Sequence, residues 1–123
     1  MKPNGSRNMK LHTEQFFRCL ADPLRLNIVM LLMHEGELCS CEIADALKEK
    51  LSSASRHLVL LRNKGLVRER RQELWLYYQI NDELPDWAKQ ILETVYQANQ
   101  QRLEEPLAVL RGNNEHSLCM HTQ

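Results

Sequence analysis

The stretch that decides the fold has the sequence SSASRHLVLLRNKGLVRERRQELWLYYQI, residues 52–80. Its first part carries apolar side chains at helical spacing, at Ala54, Leu58 and Leu61. This periodicity predicts an amphipathic helix, with Ser52 or Ser53 as the capping residue. Gly65 follows the last apolar position and suits a left-handed helix C-terminus. The stretch is therefore expected to begin with one exposed, amphipathic helix.

The period of the apolar residues changes after this helix. From Leu74 to Ile80 apolar and other side chains alternate, and this alternation predicts a strand over residues 74–80. Residues 66–70 can pair with that strand as a hairpin, whose tip is expected at residues 70–73. An amphipathic helix followed directly by a basic hairpin is typical of a recognition helix and its wing.

Upstream of this stretch, three further helices are predicted. The first begins at Thr13. The second begins at Asp22-Pro23, because Asp caps well and Pro suits the first helical position. The third is short and runs to Leu47 from Cys39 or Cys41. Two short helices joined by a tight polar link indicate a helix-turn-helix.

Downstream, Pro85 opens a long helix that is expected to continue to Pro106. The order of four helices, a hairpin and a helix predicts a mainly α fold with a β-hairpin wing, a winged helix-turn-helix. The domain is expected to span residues 13–111, between a flexible arm at 1–12 and a polar tail at 112–123.

The long helix has a wide apolar stripe, which is more than so small a domain is expected to cover. We therefore expect a homodimer, although the stripe could instead fold back on its own core. The residues expected at the dimer interface are Ala88, Ile91, Leu92 and Val95.

Composition limits the class of protein. The chain has 123 residues, of which 43% are hydrophobic and 26% charged, and this is the composition of one globular domain. Extended disorder, collagen-like repeats and coiled-coil bias are excluded. No apolar run reaches the roughly 18 residues that span a bilayer, and the N-terminus does not resemble a signal peptide. We expect a soluble, cytoplasmic protein without a membrane partner.

The charges are balanced overall but unevenly distributed. Lys plus Arg and Asp plus Glu number 16 each, whereas residues 52–81 carry 6 basic and 2 acidic side chains. Residues 82–123 carry 3 basic and 7 acidic side chains. A basic strip inside a neutral protein is the pattern of a nucleic-acid surface, although a solvated charged face has the same appearance.

The predicted recognition helix presents polar and basic side chains opposite its apolar stripe. Arg can pair bidentately with guanine, Ser and Asn can reach bases or phosphates, and a helix N-terminus attracts a phosphate. Arginines of the hairpin would neutralise backbone charge. Double-stranded DNA is the expected partner, and His57 is expected to pack or to face a phosphate. The residues expected at the DNA interface are Ser52, Ser53, Ser55, Arg56, His57, Val59, Arg62, Asn63, Arg70 and Arg71.

Cysteines are the residues best suited to sensing. Disulfides are rare in a reducing compartment, so metal binding or thiol chemistry is the functional interpretation. Cys39-Ser40-Cys41 suits a soft, thiophilic ion such as trivalent arsenic or antimony, and a helix start favours the thiolate. Residues i and i+2 of a regular helix point apart, so a shared ion requires Cys39 to lie outside the helix or the first turn to distort. Two small buried residues remain the alternative.

Four segments together resemble the ArsR/SmtB family of winged-helix repressors. Residues 54–67, ASRHLVLLRNKGLV, are similar to its recognition-helix signature, and residues 20–26, LADPLRL, to the opening of its second helix. Residues 37–43, ELCSCEI, resemble the arsenic-sensing box. Residues 84–88, LPDWA, resemble the start of the dimer helix in arsenical resistance operon repressors.

The resemblance implies a homodimer that binds a partly palindromic operator and leaves it when an inducer binds. It implies trivalent arsenic or antimony as the inducer, with Cys39 and Cys41 as ligands. The family box commonly has a third cysteine where this chain has Ala44. The third ligand is then solvent, a small thiol, Cys19 or Cys119. Cys19 lies on an apolar helix face and could instead pack in the core, and Cys119 could belong to a flexible tail without a role in binding.

Two departures from the family carry expectations of their own. Zinc-sensing relatives use Asp and His along the dimer helix, whereas residues 85–110 contain no His, so no zinc site is expected there. Family wings often have Gly where this chain has Glu73, and tight hairpins favour residues that accept positive φ. A wider wing tip is therefore expected.

Two other functions compete with a metalloid-responsive repressor. One keeps the fold and makes the cysteines a redox or persulfide switch, since exposed reactive thiols also oxidise. The other is an enzyme with a Cys-His nucleophile. No Gly-rich phosphate loop or catalytic motif supports it, and we expect no enzyme activity and no organic cofactor.

Overall fold

The computed structural model describes residues 11–113, which form helices around a small antiparallel sheet. The helices are α1 (Thr13–Leu20), α2 (Pro23–Glu35), α3 (Ser40–Ala46), α4 (Leu51–Asn63), α5 (Asp86–Ala98) and α6 (Glu104–Asn113). The strands are β1 (Glu37–Cys39), β2 (Val67–Gln72) and β3 (Trp75–Ile80), and a 3-10 turn spans Gln100–Leu103. This order confirms a mainly α fold with a hairpin wing.

The predicted arm and tail fall almost wholly outside the described residues. Residues 1–10 and 114–123, with Cys119, are not described. Residues 112 and 113, which were expected in the tail, instead complete α6. No helix between residues 11 and 113 is long and apolar enough to cross a membrane.

Helix α2 lies at the centre of the core, with five consecutive buried residues from Ile28 to Leu32. It begins as predicted, because the Asp22 carboxylate accepts a hydrogen bond from the Arg25 backbone N–H at 3.0 Å. This hydrogen bond lowers the pKa of Asp22. Gly36, at φ 93°, ends the helix with a conformation that other residues rarely adopt.

Helices α3 and α4 form the predicted helix-turn-helix. The expected serine cap of α4 is wrong: the helix begins at Leu51 after Lys50, so Ser52 and Ser53 lie inside its first turn. The Ser53 hydroxyl donates to the Glu49 carboxylate at 3.4 Å rather than to the backbone. At the other end, Gly65 has φ 87°, as its predicted place after a helix C-terminus requires.

The sheet has three strands rather than the two predicted. Its order is β1-β3-β2, and both pairs of neighbours are antiparallel. Strand β1 has only three residues and shows no alternation long enough to predict it. Its residues pair with Tyr77 to Gln79 of β3, so the short strand ties the start of the helix-turn-helix to the wing.

The wing tip is tighter than expected. Gln72 pairs with Trp75, which leaves a turn of two residues, Glu73 and Leu74. Glu73 adopts φ 58°, a left-handed conformation that glycine adopts most readily. Both the expected wider tip and its position at residues 70–73 are therefore wrong, because Glu73 accepts the strained conformation itself.

The long C-terminal helix is also interrupted. Helix α5 ends at Ala98, and Asn99 leaves the helical conformation with φ −128° and ψ 32°. The Asn99 side chain donates to the Val95 carbonyl at 2.7 Å, a local bond that competes with the helical pattern. The prediction that a helix ends at Pro106 is wrong. Pro106 lies in the first turn of α6, where proline is tolerated.

Candidate nucleic-acid interface and cysteine site

Helix α4 is amphipathic in the predicted sense. Ala54, Leu58 and Leu61 are fully buried against the core. The opposite face is exposed at four of the residues predicted to meet DNA, which are Ser52, Arg56, Val59 and Asn63. A basic side chain and two small polar ones on the free face of this helix are the groups that can reach base edges and phosphates.

Several arginines of the basic strip are paired within the protein. Arg62 donates to both carboxylate oxygens of Glu69 at 3.0 Å. Arg70 donates through two nitrogens, Nε and Nη2, to the two carboxylate oxygens of Glu37, and Arg68 lies 3.2 to 3.3 Å from the carboxylates of Asp82 and Glu83. Three of the six basic side chains of residues 52–81 are therefore paired with carboxylates.

Two of the predicted DNA-facing cations are left without such a partner. Within residues 11–113, Arg56 on α4 and Arg71 on β2 make no ion pair with a carboxylate, and both are exposed. These two side chains project from the helix and from the wing respectively. They are the arginines best placed to meet a nucleic acid without first losing an internal bond.

Glu69 joins the wing to the recognition helix. Besides binding Arg62, its carboxylate accepts a hydrogen bond of 2.6 Å from the Tyr78 hydroxyl. Burial and this bond to Glu69 raise the pKa of Tyr78 far above its usual range. Arg62, which is predicted to meet DNA, therefore also holds α4 against β2 through Glu69.

His57 has a specific partner that the sequence does not predict. The Arg25 Nη1 lies 3.2 Å from His57 Nδ1, and Arg25 also donates to the carbonyls of Cys19 and Arg18. Arginine can only donate, so His57 Nδ1 is the acceptor in this contact. Arg25 thereby joins α1, α2 and α4, and the only sequence signal for it was its position within the family-like segment 20–26.

The two cysteines of the predicted sensing pair occupy different elements. Cys39 is the last residue of β1 and the N-cap of α3, and Cys41 is the second residue of that helix. Of the two conditions under which both sulfurs could share an ion, the first is therefore met, since Cys39 lies outside the helix. The Cys39 backbone N–H donates to Glu42 Oε1 at 2.9 Å, which fixes the start of α3.

The cysteine pair has an aromatic environment. Cys39 is fully buried, and Cys41, Trp75 and Tyr77 are half-buried and pack around it in a cluster separate from the main core. Both aromatic residues belong to β3 of the wing. No group of three or more His, Cys, Asp or Glu side chains that could hold a metal ion is present within residues 11–113.

Cys19 lies elsewhere. It is buried in the main core on α1, and burial raises the pKa of its thiol. This placement agrees with the expectation of core packing and keeps Cys19 out of the cluster that contains the pair. The other candidate third ligand, Cys119, lies outside the described residues.

The outer face of α5 forms an apolar groove of about 380 Å³, lined by Trp87, Gln90, Ile91, Thr94 and Val95. Two of the residues predicted at a dimer interface are not on this surface, because Ala88 and Leu92 are buried in the protomer's own core. Ile91 and Val95 are only half-buried and line the groove. The alternative that the stripe packs on its own core is thus correct for one side of the helix.

An exposed recognition helix, a helix-turn-helix scaffold and an adjoining basic wing define a winged helix-turn-helix DNA-binding protein. Residues 22–69 match the family model of the arsR family of bacterial regulatory proteins. The arsenical resistance operon repressor of Escherichia coli K12 is 40% identical over 100 residues, 81% of this chain and 86% of that protein. The chain belongs to the ArsR family of transcriptional repressors and is not an enzyme.

Further relatives agree with this assignment. The arsenic resistance transcriptional regulator ArsR1 of Pseudomonas putida is 40% identical over 101 residues, 82% of this chain and 79% of that protein. A homodimeric winged helix-turn-helix DNA-binding domain from Mycobacterium bovis has a TM-score of 0.60 at 30% identity, covering 75% of this chain and 82% of that domain. The antimony-specific repressor AntR shares the fold, with a TM-score of 0.61 at 23% identity over 73% of this chain and 78% of its own.

Proposed function

We propose that this protein is a metalloid-responsive repressor that binds operator DNA as a homodimer and is released when arsenite or antimonite binds Cys39 and Cys41. The observation that carries the proposal is the position of the pair, at the junction between β1 and the first helix of the helix-turn-helix. A ligand there acts directly on the scaffold of the recognition helix. The arsenical resistance repressors among the relatives support a metalloid as the inducer.

The inducer would bind by ligand exchange. Trivalent arsenic as As(OH)₃ exchanges two hydroxyl groups for two thiolates, with two thiols consumed, two water molecules released and no change of oxidation state. Soft thiolates are favoured over carboxylates or water by such an ion. The third position is then occupied by the remaining hydroxyl, a small thiol or the thiol of Cys119.

DNA recognition would use groups of α4 and the wing that, within residues 11–113, make no ion pair with a carboxylate. The Asn63 amide oxygen also accepts hydrogen bonds from the Arg62 guanidinium at 3.2 and 3.4 Å. Arg56 and Asn63 on α4 suit base edges in the major groove, and Ser52 and Ser55 suit phosphates near the start of that helix. Arg71 on the wing would neutralise backbone charge. A second copy would cover the α5 groove, with Ile91 and Val95 at its centre, so that two recognition helices meet the two halves of an operator.

The experiment is a titration of DNA release. A duplex selected by the parent protein from a random library serves as the operator, and fluorescence anisotropy follows its release by arsenite, antimonite, zinc or peroxide. We expect arsenite and antimonite to release the parent, and the double variant Cys39→Ser, Cys41→Ser to bind the operator like the parent without being released. Cys19→Ala is the matched control and should respond normally.

The other outcomes are equally informative. A double variant that arsenite still releases would place the inducer site elsewhere. Release by peroxide but not by arsenite would favour the redox switch. A Cys119→Ser variant that alone loses its response would make the tail thiol an essential third ligand.

A further inference from the structure

Cys39 belongs to a row of side chains that crosses the whole sheet. In the register of the strands, Cys39 lies opposite Tyr77, and Tyr77 lies opposite Arg70. Directly opposed residues of antiparallel strands project to the same face of the sheet. The Tyr77 side chain therefore lies between those of Cys39 and Arg70. The row begins at the proposed inducer site and ends on β2, the outer strand of the wing.

Contacts along this row are close. Tyr77 packs in the cluster around Cys39. On its other side, the guanidinium carbon of Arg70 lies 4.7 Å from the centre of the Tyr77 ring, a cation–π contact. An arginine predicted to meet DNA is therefore supported by the same ring that covers the cysteine.

Arg70 has a second connection to the cysteine strand. Its Nη2 and Nε donate to the two carboxylate oxygens of Glu37 at 2.8 and 3.0 Å. Arg70 holds the pKa of Glu37 below its usual value through this bond. Glu37 lies two residues before Cys39 on β1. Arg70 therefore contacts both the strand that contains Cys39 and the Tyr77 ring beside it.

Binding at the pair must disturb this arrangement. Cys39 exposes none of its surface, and protein interiors are packed too closely to admit an added atom without movement. A ligand shared with Cys41 therefore requires that the aromatic cover moves or that the end of β1 shifts. Movement of Tyr77 removes the ring on which the Arg70 guanidinium packs. A shift of β1 moves the Glu37 carboxylate that Arg70 binds.

We infer that Tyr77 and Arg70 are positioning residues that transmit occupancy of the cysteine pair to the wing. In the unoccupied protein they tie β2 to β1 across the intervening strand β3, which sets the wing for DNA. In the occupied protein at least one support of Arg70, the Tyr77 ring or the Glu37 carboxylate, is lost, and the wing leaves its DNA-binding position. This inference rests on the proposed function and adds a second route of release to the direct effect on α3.

The test compares Tyr77→Leu with Gln79→Leu, a control on the same strand and the same face, outside the row. The quantity measured is the ratio of operator dissociation constants with and without saturating arsenite, so any change in basal affinity cancels. Coupled sites typically give ratios of about 5 to 150, and we expect Tyr77→Leu to reduce the parent ratio at least about threefold and Gln79→Leu to leave it unchanged.

A second readout follows the wing itself without DNA. Trypsin cleaves after Arg71 near the wing tip, and local opening governs the rate of such cleavage. We expect arsenite to accelerate this cleavage in the parent and not in Tyr77→Leu. Glu37→Gln, which removes the carboxylate charge but leaves Arg70 in place, should also reduce the coupling ratio, and it keeps the test decisive if Tyr77→Leu does not fold.

Protection of free thiols by arsenite separates this inference from the proposed function. If arsenite protects Cys39 and Cys41 and releases the parent, but Tyr77→Leu and Glu37→Gln keep the full ratio, the positioning role is wrong and the proposed function stands. If arsenite protects neither cysteine, the proposed function itself fails.

Discussion

Arginine side chains in the basic strip divide into those that hold the protein together and those that are free. Arg62 and Arg70 each make two hydrogen bonds to one carboxylate, and binding DNA through them would first cost those bonds. Arg56 and Arg71 have no such cost among the contacts of residues 11–113. Arg56 and Arg71 differ in position, because Arg56 lies on the recognition helix and Arg71 on the wing.

We expect Arg56→Ala to weaken binding to a selected operator by about 1–3 kcal/mol, because a side chain on this face can form a bidentate pair with a base. Arg71→Ala should weaken binding to selected and random duplexes about equally, since a phosphate contact carries no sequence information. Competition anisotropy with both duplexes measures this. Lys89→Ala on α5 serves as the charge control, and full operator selectivity in Arg56→Ala would exclude Arg56 from base recognition.

At the level of elements, the wing turn combines a tight connection with an unfavourable residue. Only two residues join β2 to β3, and Glu73 takes a positive φ there. A left-handed conformation costs a residue with a side chain about 1–2 kcal/mol, while glycine loses only its greater freedom in the unfolded chain. The turn is therefore a place where the wing stores strain.

Replacing Glu73 with glycine should raise the free energy of unfolding by about 0.5–1 kcal/mol, because glycine adopts this conformation without a steric penalty. Urea denaturation followed by circular dichroism measures the change. Glu73→Ala is the matched control, since it removes the same charge but keeps the strain, and it should bring no gain. An equal gain in both variants would assign the effect to charge.

Elements with strong local signals were predictable from the sequence, and those that depend on distant partners were not. Asp22-Pro23 and Gly65 mark helix ends through their own backbone preferences, and α4 follows from its apolar period. Strand β1 exists because it pairs with residues about 40 positions later, a contact that no local pattern encodes.

The candidate site shows the same division. The free face of α4 follows from its buried face, so Arg56 and Asn63 were placed correctly on exposed helix surface. Ion-pair partners depend on the tertiary fold, so the bonds of Arg62 to Glu69 and of Arg70 to Glu37 could not be predicted from the sequence. The break after α5 depends on one side-chain hydrogen bond of Asn99.

For the whole molecule, the proposed dimer would form at the α5 groove. Ile91 and Val95 leave part of their apolar surface exposed beside Trp87, which is itself 37% exposed. The Trp87 ring packs edge-on against Phe16, with the two ring centres 5.2 Å apart. An apolar groove on an outer helix suits a second copy of the same surface, since two-fold interfaces use one patch twice. The operator-binding unit would then be the dimer.

Placing a charge in this groove should separate the protomers. We expect Ile91→Asp to sediment as a folded monomer and to lose operator affinity, because a buried charge without a partner is costly. Since Ile91 also touches the core, Thr94→Arg provides a second variant that alters only the exposed groove. Lys89→Asp is the control. Intact dimers of both groove variants, with native circular dichroism, would place the interface elsewhere.

The complete burial of Cys39 also has a consequence in time. A thiol that reacts only during local opening is captured at a rate that rises with ligand concentration and then reaches a ceiling, the opening rate itself. Under the proposed function, a brief pulse of metalloid would end before most molecules had opened. The repressor would therefore ignore short transients and respond to sustained exposure, and at doses that reach this ceiling the delay would be set by the packing around Cys39.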